Sequence, residues 1–124
     1  MSVFSKNFKI GNKKIGYNSQ TFIVAEAGVN HNGDLKKAFK LVDLACKAGV
    51  DAIKFQTFNT EACTTKNLRK AKYQKKSFND KETQYSMLKK LELDIKDLIK
   101  IQRYCKKKKS FFSQRPQTLK ALIF

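Results

Sequence analysis

One histidine, three cysteines and ten acidic side chains are all that this 124-residue chain could offer to a metal ion or a disulfide framework. A single histidine cannot build a metal site without other donors. The cysteines, Cys46, Cys63 and Cys105, are odd in number, widely spaced and without a CxxC pair, so neither a disulfide scaffold nor a zinc site is indicated. Long apolar runs are missing too. None approaches the roughly 20 residues that span a bilayer, and Met1 to Lys9 lacks the apolar centre of a signal peptide. The expectation is a cytoplasmic protein with no membrane partner. No internal repeat stands out, and the lysine run Lys106 to Lys109 is the one biased segment. What remains, 41% apolar residues with 11% aromatics, is enough for the core of one ordinary domain.

Negative charge is scarce. Against ten Asp and Glu stand 27 Lys and Arg, a formal +17 that brings nucleic acid into consideration. The lysines, however, are spread from Lys6 to Lys120, and no zinc-finger, RNP or helix-turn-helix signature accompanies them. The run Lys106 to Lys109 reads as a solvated helix end, where cations suit the macrodipole. Nucleic acid is therefore not the expected partner. A small basic module binding nucleic acid or an acidic partner stands as the rival to an enzyme, and a steep loss of binding with salt would identify it.

Residues 7 to 17, NFKIGNKKIGY, alternate apolar and polar about Gly11-Asn12-Lys13 and predict a β-hairpin. The short β-branched run at 22 to 27 reads as a buried parallel strand. Leu35, Ala38, Phe39, Val42, Ala45 and Cys46 fall on one face of a helix over 34 to 48, with Gly49 as its stop. A strand follows over 51 to 55, then a long polar connection over 56 to 81, a length that is usually functional or mobile. A short helix is expected at 82 to 91 and a longer one from Ile95 to Lys108, with Asp94 as N-cap. Cys46 and Cys105 sit on helix faces as small core residues. Ser110-Phe111-Phe112-Ser113 opens a third strand. The β-α-β-α-β order is that of an α/β protein with a parallel sheet.

Both early strands run into polar groups, and in α/β folds ligands bind beyond the carboxyl ends of the strands. Glu26 there can act as a general base or hold a cation, or it can be a carboxylate satisfied by neighbouring backbone N–H groups. Lys54, one strand later, can hold a phosphate or carboxylate, or it can simply pair with Glu26. Asn30 and His31 in the loop Gly28 to Gly33, with Gln56 and Thr57 beyond the second strand, add to this constellation.

Four separated segments, FKIGNKKIGYN, AEAGVNHNGDL, AGVDAIKFQTF and QYSMLKKLEL, closely resemble the N-acetylneuraminate (sialic acid) synthase family, in its order and at about its spacing. The resemblance covers residues 8 to about 105. It implies the N-terminal portion of a TIM (β/α)8 barrel preceded by a β-hairpin. It also implies condensation of phosphoenolpyruvate with N-acetylmannosamine or a related N-acetylated amino sugar, to give a nonulosonic acid and phosphate. A divalent metal, manganese or magnesium, is implied for the full-length family as the group that polarises the sugar aldehyde, and so is a homodimer. By the same resemblance Glu26 is the catalytic acid-base or water-orienting glutamate and Lys54 binds phosphoenolpyruvate. Gln56 and Asn79 contact the sugar, and Asn30 and His31 shape the site. The family's metal-binding histidines lie further along than this chain reaches, so no metal ligand is assigned.

A complete barrel of this type takes about 250 residues, so residues 1 to 124 are expected to be a partial barrel domain that is inactive alone, with the hairpin at 7 to 17 and β/α units at 22 to 113. The tail 114 to 124 departs from the family, which continues with Ser-Thr-Pro where this chain has Gln114-Arg115-Pro116. Codons for the tail, read from one nucleotide earlier, permit Ser-Thr-Pro and later Asp-Leu-Lys-Ser-Val-Asp-Phe or Asp-Leu-Glu-Ser-Val-Asp-Phe. The tail is accordingly read as out of frame, with the adenine-rich codons of Lys106 to Lys109 as the slippage site.

Overall fold

Alternation of apolar and polar side chains closes the first described residues into an antiparallel hairpin. In it β1 (Asn7–Ile10) pairs with β2 (Lys13–Gly16), Ile10 opposite Lys13 across Gly11-Asn12. The computed structural model describes residues 7–69, 82–108 and 111–116, the last of these as backbone. Beyond the hairpin, β3 (Val24–Gly28), β4 (Ala52–Thr57) and β5 (Phe111–Pro116) form a parallel sheet in that order. The helix α1 (Leu35–Lys47) connects β3 to β4. After β4 come α2 (Thr60–Cys63), α3 (Gln84–Leu91) and α4 (Ile95–Lys107), which leads into β5.

Each long helix starts where its cap requires. The Asp34 carboxylate accepts the N–H groups of Lys36 at 2.8 Å and Lys37 at 3.3 Å, and Asp94 accepts that of Asp97 at 2.7 Å, so donors left open at a helix start are satisfied. Along α1, Ala38, Val42 and Ala45 are buried, and along α4 Leu98, Ile101 and Cys105. These two stripes pack on each other and on Ala27, Ile53 and Phe55 of the sheet, forming the main core. Side chains such as Phe55, Ile53 and Ile101, which are fully buried, each contribute about 1.5–3 kcal/mol. The two helices are also joined at their outer rim, where Tyr104 Oη donates to Asp43 at 2.9 Å and Lys108 Nζ pairs with Asp43 at 2.9 Å. Cys105 is a core residue, as its helix face predicts, and burial pushes its thiol up to about 12, out of reach of thiolate chemistry. Cys46 is half-buried against the same core.

A second, smaller core of Phe58, Met87 and Leu91 takes in Val29 and Leu88, so the loop after β3 is packed against α3. The polar connection over 56 to 81 differs from the expectation of a plain loop. β4 continues to Thr57, because Gln56 and Thr57 stay paired with Arg115 and Pro116 of β5, and α2 follows at once under the Asn59 cap. A helix of four residues carries no periodicity that a sequence reading could detect.

At the amino end of the sheet the hairpin is tied down by Asp51. One of its oxygens pairs with Lys13 and the other accepts the N–H of Ile23 at 2.9 Å. The opposite, carboxyl end is left to the polar residues that follow. β5 includes Gln114, Arg115 and Pro116, so the first residues of the segment read as out of frame extend the strand in parallel with Phe55 to Thr57.

Candidate functional site

From Ile53 onward β4 alternates. Ile53, Phe55 and Thr57 are buried, whereas Lys54 and Gln56 on the other face are half-buried. Glu26 of β3 is the register partner of Lys54, and their side chains close an ion pair with Oε2 2.5 Å from Nζ. The two groups are 50% and 34% exposed, so the pair remains open to water and to a ligand. Its presence realises the pairing alternative for Lys54, and it also places a cation and a carboxylate at one point where an anion could displace the carboxylate. Across β4, the backbone of β5 sets Ser113 in register with Lys54 and Arg115 with Gln56.

Next to this pair, β3 leaves regular pairing. Gly28 is opposite Phe55 instead of Gln56, an irregularity between Glu26 and Gly28, and Gly28 has φ +53. Such a bulge kinks a strand and re-aims its side chains. A Cβ built on Gly28 would stand 3.7 Å from Glu26 Oε1 and 4.0 Å from Gln56 Nε2, so this residue lies between the two side chains at ordinary contact distance. Glu26, Lys54 and Gln56 are thus brought together by β3 and β4, with Lys54 and Gln56 within β4 rather than beyond its end.

The loop residues divide. Asn30 is exposed, its N–H donating to the Ala27 carbonyl at 3.0 Å. His31 is fully buried. Its Nδ1 accepts the Gly33 N–H at 3.0 Å, and its ring lies on Phe55 with centroids 6.0 Å apart. Burial lowers its pKa below the ordinary 6.5, a shift opposed by the Gly28 carbonyl. That carbonyl acts on the ring electrostatically, since Nε2 has no partner in hydrogen-bond geometry. Asn79 lies outside the described residues.

One polar cluster lies outside the sequence expectations. Glu92, between α3 and α4, accepts the N–H of Thr60 at 3.2 Å, its hydroxyl at 2.6 Å and Lys89 Nζ at 3.2 Å. Burial raises the Glu92 pKa, but these bonds and the Lys89 charge outweigh it and leave the carboxyl below its usual value. Thr60 is itself fully buried, so Glu92 fixes the direction of the chain as it leaves Gln56. The local signal that could have marked this turn is the Asn59 cap, with Glu61 in the first turn after it.

Among the described residues no three His, Cys, Asp or Glu side chains gather as a metal ion requires. Glu26 is paired with Lys54, and His31 has Nδ1 committed to Gly33. These residues alone do not fit a divalent cation. No helix among the described residues is long and apolar enough to cross a membrane.

A parallel α/β sheet thus carries a lysine–carboxylate pair and an amide together on the face opposite its main core. The chain belongs to the NeuB family, whose sequence pattern matches residues 41–124. It is 51% identical over 87 residues to the N,N'-diacetyllegionaminic acid synthase of Legionella pneumophila, covering 70% of this chain and 24% of that protein. To the N,N'-diacetyllegionaminic acid synthase of Campylobacter jejuni it is 42% identical over 103 residues, 83% of this chain and 31% of the relative. Its fold matches the crystal structure of the N-acetylneuraminic acid (sialic acid) synthetase of Leptospira borgpetersenii with TM-score 0.76 and 33% identity, over 95% of this chain and 36% of that one. The chain therefore spans about a quarter to a third of the length of these curated relatives, which are nonulosonic acid synthases.

Proposed function

We propose that these residues form the first strands of a (β/α)8 barrel synthase that condenses phosphoenolpyruvate with N-acetylmannosamine or a related N-acetylated amino sugar. The products are a nonulosonic acid and phosphate. The observation that carries this reading is the convergence of Glu26, Lys54 and Gln56 on one open sheet face beside the Gly28 kink. Lys54 takes the phosphate or carboxylate of phosphoenolpyruvate, exchanging its neutral pairing with Glu26 for a doubly charged partner. Glu26, so released, orients the water that adds to phosphoenolpyruvate or moves a proton at the sugar. Gln56 offers an amide donor and acceptor to the sugar, Asn79 adds a second such contact, and Asn30 and His31 shape the loop beside it. In the reaction the methylene carbon of phosphoenolpyruvate bonds to the sugar aldehyde carbon, water adds to the adjacent carbon, and the bond from carbon to the phosphate oxygen breaks. A manganese or magnesium ion, when bound, supplies polarisation of the aldehyde. Its ligands belong to the longer protein.

The test is phosphate release from phosphoenolpyruvate with N-acetylmannosamine or a related amino sugar, in the presence of manganese. The 124-residue chain is expected to be silent, and a chain continued through the remaining strands, with the tail restored to the earlier register, is expected to turn over. Turnover by the short chain would overturn its reading as a partial barrel. Inactivity of the continued chain with every nonulosonic-acid precursor would overturn the synthase reading. Sequencing the nucleotides after codon 124 tests the register change on its own.

A further inference from the structure

His31 is a fully buried titratable group that the condensation leaves without a chemical task. Because Nδ1 accepts the Gly33 N–H, the proton of the neutral ring is on Nε2, the atom with no hydrogen-bond partner. We propose that His31 is a positioning residue that holds the Gly28 kink from behind the sheet and, through that kink, sets the gap between Glu26 and Gln56. The proposal rests on the synthase reading only in taking those two side chains as substrate-facing.

The placement of the ring carries the first step. It packs on Phe55, the register partner of Gly28, and Phe55 lies on the core face of β4 while Gln56 lies on the open face. The imidazole therefore backs the Gly28–Phe55 pair from the side opposite the site, with the Gly28 carbonyl as the backbone group that acts on it. On the open side the same Gly28 stands between Glu26 Oε1 and Gln56 Nε2. A shift of the kink must alter that gap, because regular pairing would place Gly28 opposite Gln56 itself.

The rest of the loop is already fixed. Val29 is packed against the core of Phe58, Met87 and Leu91, and the N–H of Asn32 donates to the Val29 carbonyl at 2.9 Å. At the far end Gly33 presses on the carbonyl of Lys90, and Asp34, whose N–H donates to the His31 carbonyl at 3.0 Å, caps α1. Between these anchors the turn pivots on His31, whose two nitrogens face in two directions. Nδ1 fixes the Gly33 side by its hydrogen bond, and the ring face supports the Gly28 side through Phe55, the register partner of Gly28.

Replacement side chains separate the two halves, since an Asn amide reaches the position of Nδ1 and a Gln amide that of Nε2. The experiment is an NMR comparison of the 15N-labelled chain with His31→Asn, His31→Gln and His31→Phe. In the wild type, the imidazole nitrogens at neutral pH should report the Nε2–H tautomer. His31→Asn should keep the Gly33 amide at its wild-type position and move those of Gly28 and Gln56. His31→Gln should do the reverse, and His31→Phe should move all three. If His31→Phe does not fold, the Asn and Gln variants decide the matter. An Nδ1–H tautomer in the wild type, or shifts confined to residues 29–34 with Gly28 and Gln56 unmoved, would overturn the proposal. Neither readout involves phosphoenolpyruvate or turnover, so failure of the synthase reading would appear separately in the phosphate-release assay.

Discussion

Glu26 and Lys54 are register partners on adjacent parallel strands, and their side chains meet at 2.5 Å on the face of the sheet opposite the main core. A pair this exposed is screened by water and adds little to folding, in the range of about 0–1 kcal/mol. In the function proposed above, its value lies in holding the ammonium where an anion can replace the carboxylate. Lys54→Met is therefore expected to leave the urea unfolding midpoint of the chain within about 1 kcal/mol of wild type. In the continued synthase the same change should lower kcat/KM by about a hundredfold or more, as loss of a charged contact to the reacting phosphate does. Equal losses of stability and turnover would mean that the pair is structural.

The core and the elements were legible in the sequence because they rest on period and on caps. α1 and α4 fall within a residue or so of their expected bounds, since Asp94 and Gly49 punctuate them and their apolar stripes recur at helical spacing. Glu26, Lys54 and Gln56 were legible because each directly follows or interrupts an apolar strand run. The Gly28 bulge was not, because a register shift depends on what the partner strand does and leaves no mark on its own strand. Nor was the bond from Glu92 to Thr60, which joins residues 32 positions apart through burial that no local pattern encodes.

The loop after β3 has one glycine that must be glycine for space and another that needs it only for conformation. At Gly33, with φ +72, a Cβ would lie 2.1 Å from the backbone oxygen of Lys90, and a backbone atom cannot swing aside. At Gly28 the nearest atoms, 3.7 and 4.0 Å away, belong to side chains at ordinary contact distance. Gly28→Ala should cost the left-handed strain alone, about 1–2 kcal/mol. Gly33→Ala adds overpacking and should cost about 3 kcal/mol or more. Urea denaturation of the two variants checks the order, and a smaller loss at Gly33 would contradict the close packing of the loop on α3.

Thr60 tests the polar cluster behind α2. Its hydroxyl and N–H both donate to Glu92 Oε2, in a residue with no exposed surface. Glu92→Ala strips the acceptor from two buried donors, a loss of about 1–3 kcal/mol. Glu92→Gln keeps an acceptor oxygen and gives up the charge opposite Lys89, and should cost under about 1 kcal/mol. The midpoints of the two variants should therefore separate. Coincident midpoints would show that Thr60 finds another acceptor, such as water.

The pH dependence of stability should show two steps, and the upper one belongs to His31, the only histidine of the chain. Burial lowers its folded pKa below the unfolded 6.5, with the Gly28 carbonyl opposing. As pH falls below about 6.5 the unfolded chain binds a proton that the folded chain still excludes, so stability decreases until the folded pKa is reached and then levels. The sign is opposite to that of an ion-paired histidine, which would gain stability over the same window. The lower step comes from carboxyls held below their usual values: Asp51 by Lys13 and the Ile23 N–H, and Glu92 by Thr60 and Lys89 against the opposing effect of burial. Their contribution is intact above the ordinary 3.8 and 4.5 and is lost only as pH falls through the lower folded values. Urea midpoints measured from pH 7.5 downward should thus fall first near 6.5 and again below 4.5. In His31→Gln the first fall should vanish and the second persist. An upper step that survives in the variant would mean that the imidazole is not the group excluding the proton.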